Sequence, residues 1–494
     1  MQRYFFAITV ILLGVAGPAG AQSLQEGLRL YRDGNYEQAA YSFYDVLRAD
    51  GDPQVRDESE IYLAESLRKM GLYVPALFYY TDVFKSGKRN RFYLNAAQGL
   101  LDIQAELHDH LIVPSLFSEY LDSQAFGKLE PAKVAQINFL LGELSVQKNK
   151  LSDAETFLKA VDGSSILYPK AQYFLGLVYS KRGQDDAALA RFREAVKAID
   201  PAHATAEQQE VLNLAHLALG RVLYGAGQFE ASTQAFGKVA RLSEPWFNAL
   251  FDSAWAYFQL ENYVAALGQI QSVSSPYFSK RHIPEAYVLQ GTTYFVNCQW
   301  DRVRATVLRY QELYGTMEQQ LQAFLAKSQD PSAFYTVLTA DGQREIPLEL
   351  VREVRRTRHF ADFHHMLNHL AWEESKVRDI AVWQGSDLKN DLALIMTAQG
   401  DQLKTAVGSW SKTRLAQLAA QLQNFSNQVN ILDFEVADAE RKWLEQGREI
   451  AMGQRARLPR PEIPTDQWQH WNFQKEFWKD EIGYYRHALR TECK

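Results

Sequence analysis

Residues 175–192, LGLVYSKRGQDDAALARF, set small residues at Gly176, Gly183 and Ala188 between large ones at Leu175, Tyr179 and Phe192. The schedule recurs along the chain. Around Gly34 it reads GNYEQAAYSFYDVL, around Gly71 GLYVPALFYYTDVF, around Gly183 GQDDAALARFREAV, around Gly227 GQFEASTQAFGKVA and around Glu261 ENYVAALGQIQSV. Each copy has a turn residue, often an aromatic two later, a small residue near five later and an apolar one near nine later. Seven residues upstream stands another small residue: Gly27, Ala64, Gly176, Gly220 or Ala254. A copy with Gly142 and Ala154, and one with Gly291, Tyr294 and Trp300, complete the series. Small residues on facing helix surfaces let two helices approach closely, and the large ones fill the space beside them.

The pattern resembles the tetratricopeptide repeat, a helix-turn-helix unit of about 34 residues. The resemblance covers Leu24 to Gly315, and the copy from Pro169 to Pro201 lies nearest the family pattern. Gly99 to Leu121 departs from it, with HDHLIVPSLF where the turn belongs, and counts as a degenerate eighth copy. Each pair leaves an apolar face that only the next can cover, so the resemblance implies an all-α superhelix of seven to eight repeats. It also implies a concave groove, lined by the first helix of each repeat, that binds peptides or partner proteins. The matching positions are Tyr173, Leu217, Arg221, Tyr224, Phe251, Trp255, Phe258 and Phe295. So aromatic a face is either an interface or is covered by other segments of the chain.

After Gly315 the repeat fades. LAKSQDPSAF and VLTADGQREIP carry Asp-Pro and Asp-Gly breakers, which mark residues 316–346 as a linker after a repeat region over 22–315. From 347 to 458 the rhythm changes. Leu415, Leu418, Leu422, Phe425, Val429, Leu432, Val436, Ala439 and Trp443 follow at alternating steps of three and four, the seam of a coiled-coil helix. Leu348–Val382 or Leu388–Trp410 is long enough to fold back on it as an antiparallel hairpin. A homodimer through the seam is the alternative. Residues 459–494 begin with prolines, then crowd Trp468, Trp471, Phe473, Phe477, Trp478, Tyr484 and Tyr485 into a helix-like run that must dock on something.

The chain opens MQRYFFAITVILLGVAGPAGAQS, an apolar run followed by small residues, which reads as a secretory signal over residues 1–21 cut after Ala21. The first cysteine is Cys298, so the cleavage point offers no thiol for a lipid anchor. No later stretch approaches the ~20 apolar residues of a membrane span. The mature chain is thus expected to be exported, periplasmic or outer-envelope associated. There Cys298 and Cys493 could pair, closing a very long loop, or remain two separate thiols. A net charge of −6 gives no reason to expect nucleic acid as a partner.

Signals of chemistry are few. His365 and His369, with Asp362, share one helix face and could hold a divalent ion, although Met366 stands where a zinc-protease motif needs Glu. Polar packing is the simpler reading, and VREVRRTRHF reads as a solvated basic stripe. No phosphate-loop, dinucleotide-binding or nucleophile-elbow motif occurs in a suitable context. The expectation is a non-enzymatic scaffold without catalytic residues, cofactor or metal, which holds proteins of a cell-envelope complex such as outer-membrane assembly, secretion or motility. Two alternatives are a glycan-active enzyme on a repeat platform and a homodimeric coiled-coil spacer.

Overall fold

Among the described residues, eight helical pairs turn on one device. Positive φ occurs at Gly34, Gly71, His108, Asn149, Gly183, Gly227, Glu261 and Cys298, with values from 52° to 79°. After each, the next residue's N–H reaches back to the carbonyl five residues earlier, as in Asn35 to Leu30 and Gln299 to Tyr294, at 2.8–3.0 Å. This is the left-handed helix end that satisfies orphan carbonyls and redirects the chain. The computed structural model describes residues 20–49, 51–327, 330–340, 342, 345–446 and 476–493, and among them no strand occurs. The expected secretory signal lies outside these residues except for Gly20 and Ala21, which open the first helix. Residues 447–475, the end of the expected coiled-coil region and the start of the expected aromatic tail, lie outside as well.

The pairs are α1 Gly20–Arg32 with α2 Tyr36–Ala49, α3 Pro53–Lys69 with α4 Tyr73–Lys85, α5 Tyr93–Leu107 with α6 Ile112–Tyr120, and α7 Pro131–Gln147 with α8 Leu151–Lys159. Next come α9 Tyr168–Lys181 with α10 Asp185–Lys197, α11 Ala206–Gly225 with α12 Phe229–Phe236, α13 Trp246–Gln259 with α14 Tyr263–Val273, and α15 Pro284–Phe295 with α16 Trp300–Tyr310. Within a pair a small residue meets a large one sixteen positions on. A methyl group on Gly27, Gly142, Gly176 or Gly220 would stand 2.4–2.8 Å from Phe43, Leu158, Phe192 or Phe236. These are tetratricopeptide-type pairs, and the degenerate copy is one of them. Its Gly99 meets Tyr80 of the preceding repeat instead.

The chain divides into two units, residues 1–161 with 358–407 and residues 162–357 with 408–494. In the first unit, α20 Arg358–Asp379 runs along the turns of the repeats. Arg358 donates to His110 Nε2 at 2.8 Å, and His110 Nδ1 lies 2.9 Å from buried Glu143. Further along, Glu373 accepts the N–H of Tyr73 at 2.6 Å and of Val74 at 3.1 Å, so a carboxylate from α20 caps the N-terminus of α4. Lys376 donates to the Met70 carbonyl, and beyond the helix Trp383 donates to that of Glu37 at 2.9 Å. The long helix α21, Asp387–Glu445, begins here, and its Gly400 faces Leu370 of α20 in a hairpin.

In the second unit the seam of α21 finds another partner than a fold-back helix. Tyr310 donates to the Leu422 carbonyl at 3.1 Å, Leu432 presses on Gly291, Arg304 forks onto Glu440, and Trp300 meets Trp443 edge-on. Leu415, Leu418, Leu422, Val429 and Val436 are buried. The seam thus covers the apolar face that the last repeat leaves open, where a ninth repeat would stand.

Two further expectations change. Residues 316–346 are largely helical: α17 Thr316–Lys327 continues α16 through a π-helical turn, and α18 Pro331–Thr339 and α19 Leu348–Arg355 follow. Asp330-Pro331, read as a breaker, starts a helix, with Asp330 accepting from Ser332 N at 3.0 Å and Pro331 in the first turn. Within this segment Phe324 and Phe334 pack edge-on in the core. The described tail, 476–493, is not a helix but a strap that turns over 479–484, with Gly483 at φ 94°, and continues without regular structure to 493.

Candidate functional site

The first helices of the second unit's repeats, α9, α11, α13 and α15, lie side by side. Polar ties step from each to the next. Lys170 on α9 pairs with Glu207 on α11 at 2.6 Å, Arg221 on α11 with Asp252 on α13 at 2.7 Å, and Trp255 Nε1 on α13 donates to Glu285 on α15 at 3.1 Å. Gln259 also reaches the Tyr224 hydroxyl at 3.4 Å. Such ties fix the lateral register of helices whose apolar residues point elsewhere.

Aromatic side chains stand between the ties. Trp255 and Phe258 meet edge-on with centroids 6.0 Å apart, and Phe258 leans on Tyr263 at 5.6 Å. Tyr224 packs on Phe229, and Tyr173 on Phe174 and Phe192. Tyr173, Tyr224, Phe251, Trp255 and Phe258 are each half-buried, so part of every ring meets solvent, and the Arg221 side chain is 55% exposed. Burial pushes the carboxyl of Asp252 above its usual range, with Arg221 pulling it back. Burial does the same to Glu285, opposed by the Trp255 N–H and reinforced by the charge of Asp252. The face is therefore mixed: aromatic rings, one projecting guanidinium and two half-desolvated carboxyl groups. Such a surface offers ring stacking and directional hydrogen bonds.

Of the eight positions expected to line the groove, Arg221, Tyr224, Trp255 and Phe258 lie among these ties and ring contacts, while Tyr173 packs on the core around Phe192 and Phe251 on that around Trp246. Leu217 is the correction: at 5% exposure it belongs to the core cluster of Phe236, Trp246, Phe247 and Leu250, with Phe251 packed over it. Phe295 turns to Trp300 at 5.3 Å, which in turn meets Trp443 of the seam. Lys170, Glu207, Asp252, Gln259 and Glu285 were missed. Their signal is a pairing of opposite or complementary polar residues about one repeat apart, as in Arg221 and Asp252.

In the first unit, His365 lies 3.4 Å from the Glu106 carbonyl, and His369 bonds Glu373 at 3.0 Å and the Gly71 carbonyl at 3.1 Å. Asp362 stands beside His110 and Arg358. These residues fasten α20 to the turns. Among the described residues no three His, Cys, Asp or Glu side chains gather as a metal site, and no helix is long and apolar enough to cross a membrane.

No family model matches the chain, and no curated protein matches it. Among solved structures it is similar to a tetratricopeptide repeat protein from Parabacteroides merdae, at 13% identity over 60% of this chain and 94% of that one, with a TM-score of 0.27. It is also similar to the apo form of RapI, at 11% identity over 87% and 99%, TM-score 0.32. A third likeness is to the APC/C hetero-tetramer Cut9-Hcn1, at 13% identity over 78% of each chain, TM-score 0.30. The repeat assignment rests on the eight turns and the packed glycines, not on these likenesses.

Proposed function

We propose that the chain is a non-enzymatic scaffold that binds an extended peptide or partner protein of a cell-envelope complex along α9, α11, α13 and α15. The observation that carries this reading is the row of half-buried rings on three adjacent helices, α9, α11 and α13, with Arg221 projecting among them. Solvent-facing aromatics in one row are costly unless a partner covers them, and such rings dominate the energetics of interfaces. The envelope setting is supported by the apolar opening segment of the sequence.

The glycan-active alternative needs two carboxyl groups facing each other across a cleft. Asp252 and Glu285, the carboxyl groups of this face, are engaged by Arg221 and Trp255. The spacer alternative needs a free seam, and the seam's buried leucines pack on the repeats. Affinity capture from envelope extracts, comparing the intact protein with a Trp255→Ala, Tyr224→Ala double variant, tests the scaffold reading. Loss of specific captured proteins is expected. Unchanged capture excludes this face as the main binding surface.

A further inference from the structure

The strap is a polypeptide already seated on the repeats, with Ile482 against the start of α13. Arg241 donates to the carbonyls of Lys479 and Asp480 at 3.0 and 2.7 Å. Gly483 N–H donates to Ser272 Oγ at 2.9 Å, and Gln269 Nε2 donates to the Gly483 carbonyl at 2.8 Å. Further on, the N–H groups of His487 and Glu492 reach the carbonyls of Val264 and Asn297 at 3.1 and 3.0 Å. Ile482 is buried among Trp246, Phe247, Leu250 and Phe278, and Cys493 is disulfide-bonded to Cys298 with Cα atoms 5.1 Å apart. Most of this recognition is of main chain, with one apolar anchor, as in other modes of extended-peptide capture.

Gly268 ties this seat to the sequence. Glycine is a poor choice inside a helix, and the glycines at Gly27, Gly142, Gly176 and Gly220 are explained by a large residue of their own repeat. Gly268, inside α14, instead faces the strap: a methyl group there would stand 1.8 Å from the Tyr485 carbonyl oxygen. The helix is thus shaped to admit a second backbone. The fit is incomplete. A cavity of about 290 Å³ remains beside residues 482–486, and the buried Gln269 Oε1 on its wall has no hydrogen-bond partner among the described residues.

We propose that this face is a second peptide-binding site for a segment of the pattern Ile-Gly-x-Tyr-x-His, closed in cis by the disulfide, and that reduction lets the same segment of a second copy enter it. The opening step needs a dithiol reductant. Its two sulfurs join in a disulfide, and its two electrons and two protons pass to the sulfurs of Cys298 and Cys493 as their bond breaks.

Full-length Cys493→Ser protein, whose Cys298 is then free, tests this with synthetic peptides of the sequence 476–494 under mild oxidation. The mixed disulfide with Cys298, followed by intact mass, is expected to form at least tenfold faster with the tail peptide than with a scrambled peptide of the same composition. Replacing Ile482 by Asp in the peptide alone, which leaves the protein untouched, is expected to remove that advantage, as is Gly268→Leu in the protein. Equal rates for tail and scrambled peptides overturn the proposal, as does an advantage that survives the Ile482→Asp peptide.

Discussion

At the eight turn positions four residues are glycine, and His108, Asn149, Glu261 and Cys298 hold the same left-handed backbone without its freedom. A side chain there costs about 1 kcal/mol or more, which the backbone bond across each turn and the packed helices on either side offset. This is why the turn at His108 was hard to read: its signal is geometric, and HDH carries none of glycine's compositional mark. The small-to-large pairing sixteen residues apart was legible, because volume complementarity needs particular residue types. At Gly176 the consequence is measurable. Gly176→Leu places a branched side chain where a single methyl group would already lie 2.4 Å from Phe192, and a destabilisation of about 1–3 kcal/mol is expected in chemical denaturation. Leu217 was misread because its repeat position matches its neighbours, yet it belongs to the buried cluster around Trp246 and Phe247.

Among the elements, the strap and the long helix show what an apolar stripe leaves open. A heptad seam states that one face needs cover but not what supplies it, and here the cover is α15 and α16 rather than a second coiled-coil strand. The strap carried too little pattern to be told from a helix, because its partners are carbonyls and side chains some 200 residues away. Its His487 accepts from Arg302 at 3.1 Å, and burial together with that guanidinium pushes the imidazole down to about 4. An unfolded histidine titrates near 6.5. The unfolded chain therefore binds the extra proton first, so this contribution to stability is full above pH 6.5 and is lost as pH falls toward 4. Thermal melts of the intact protein and His487→Gln across that window are expected to show a shallower pH slope in the variant. Equal slopes would mean that the imidazole is not held neutral.

For the molecule as a whole, Leu415, Leu418, Leu422, Val429 and Val436 of the seam are already buried within the chain and closed to a second copy. Light scattering of the oxidised protein at micromolar concentration is expected to give a monomer mass. A dimer would return the seam to the role of subunit interface.

The brace formed by α20 also bears on the order of events during synthesis. Glu373 caps a helix that begins 300 residues earlier, and Trp383 reaches back 346 residues to Glu37. The opening repeats therefore leave the ribosome, and pass through any export channel, long before the residues that seal their turns exist. Contacts so distant along the chain slow folding and prolong the exposure of unsealed edges. Until about residue 390 has emerged, the N-terminal third is a substrate for holding chaperones and proteases, and the brace is the step that ends that vulnerability.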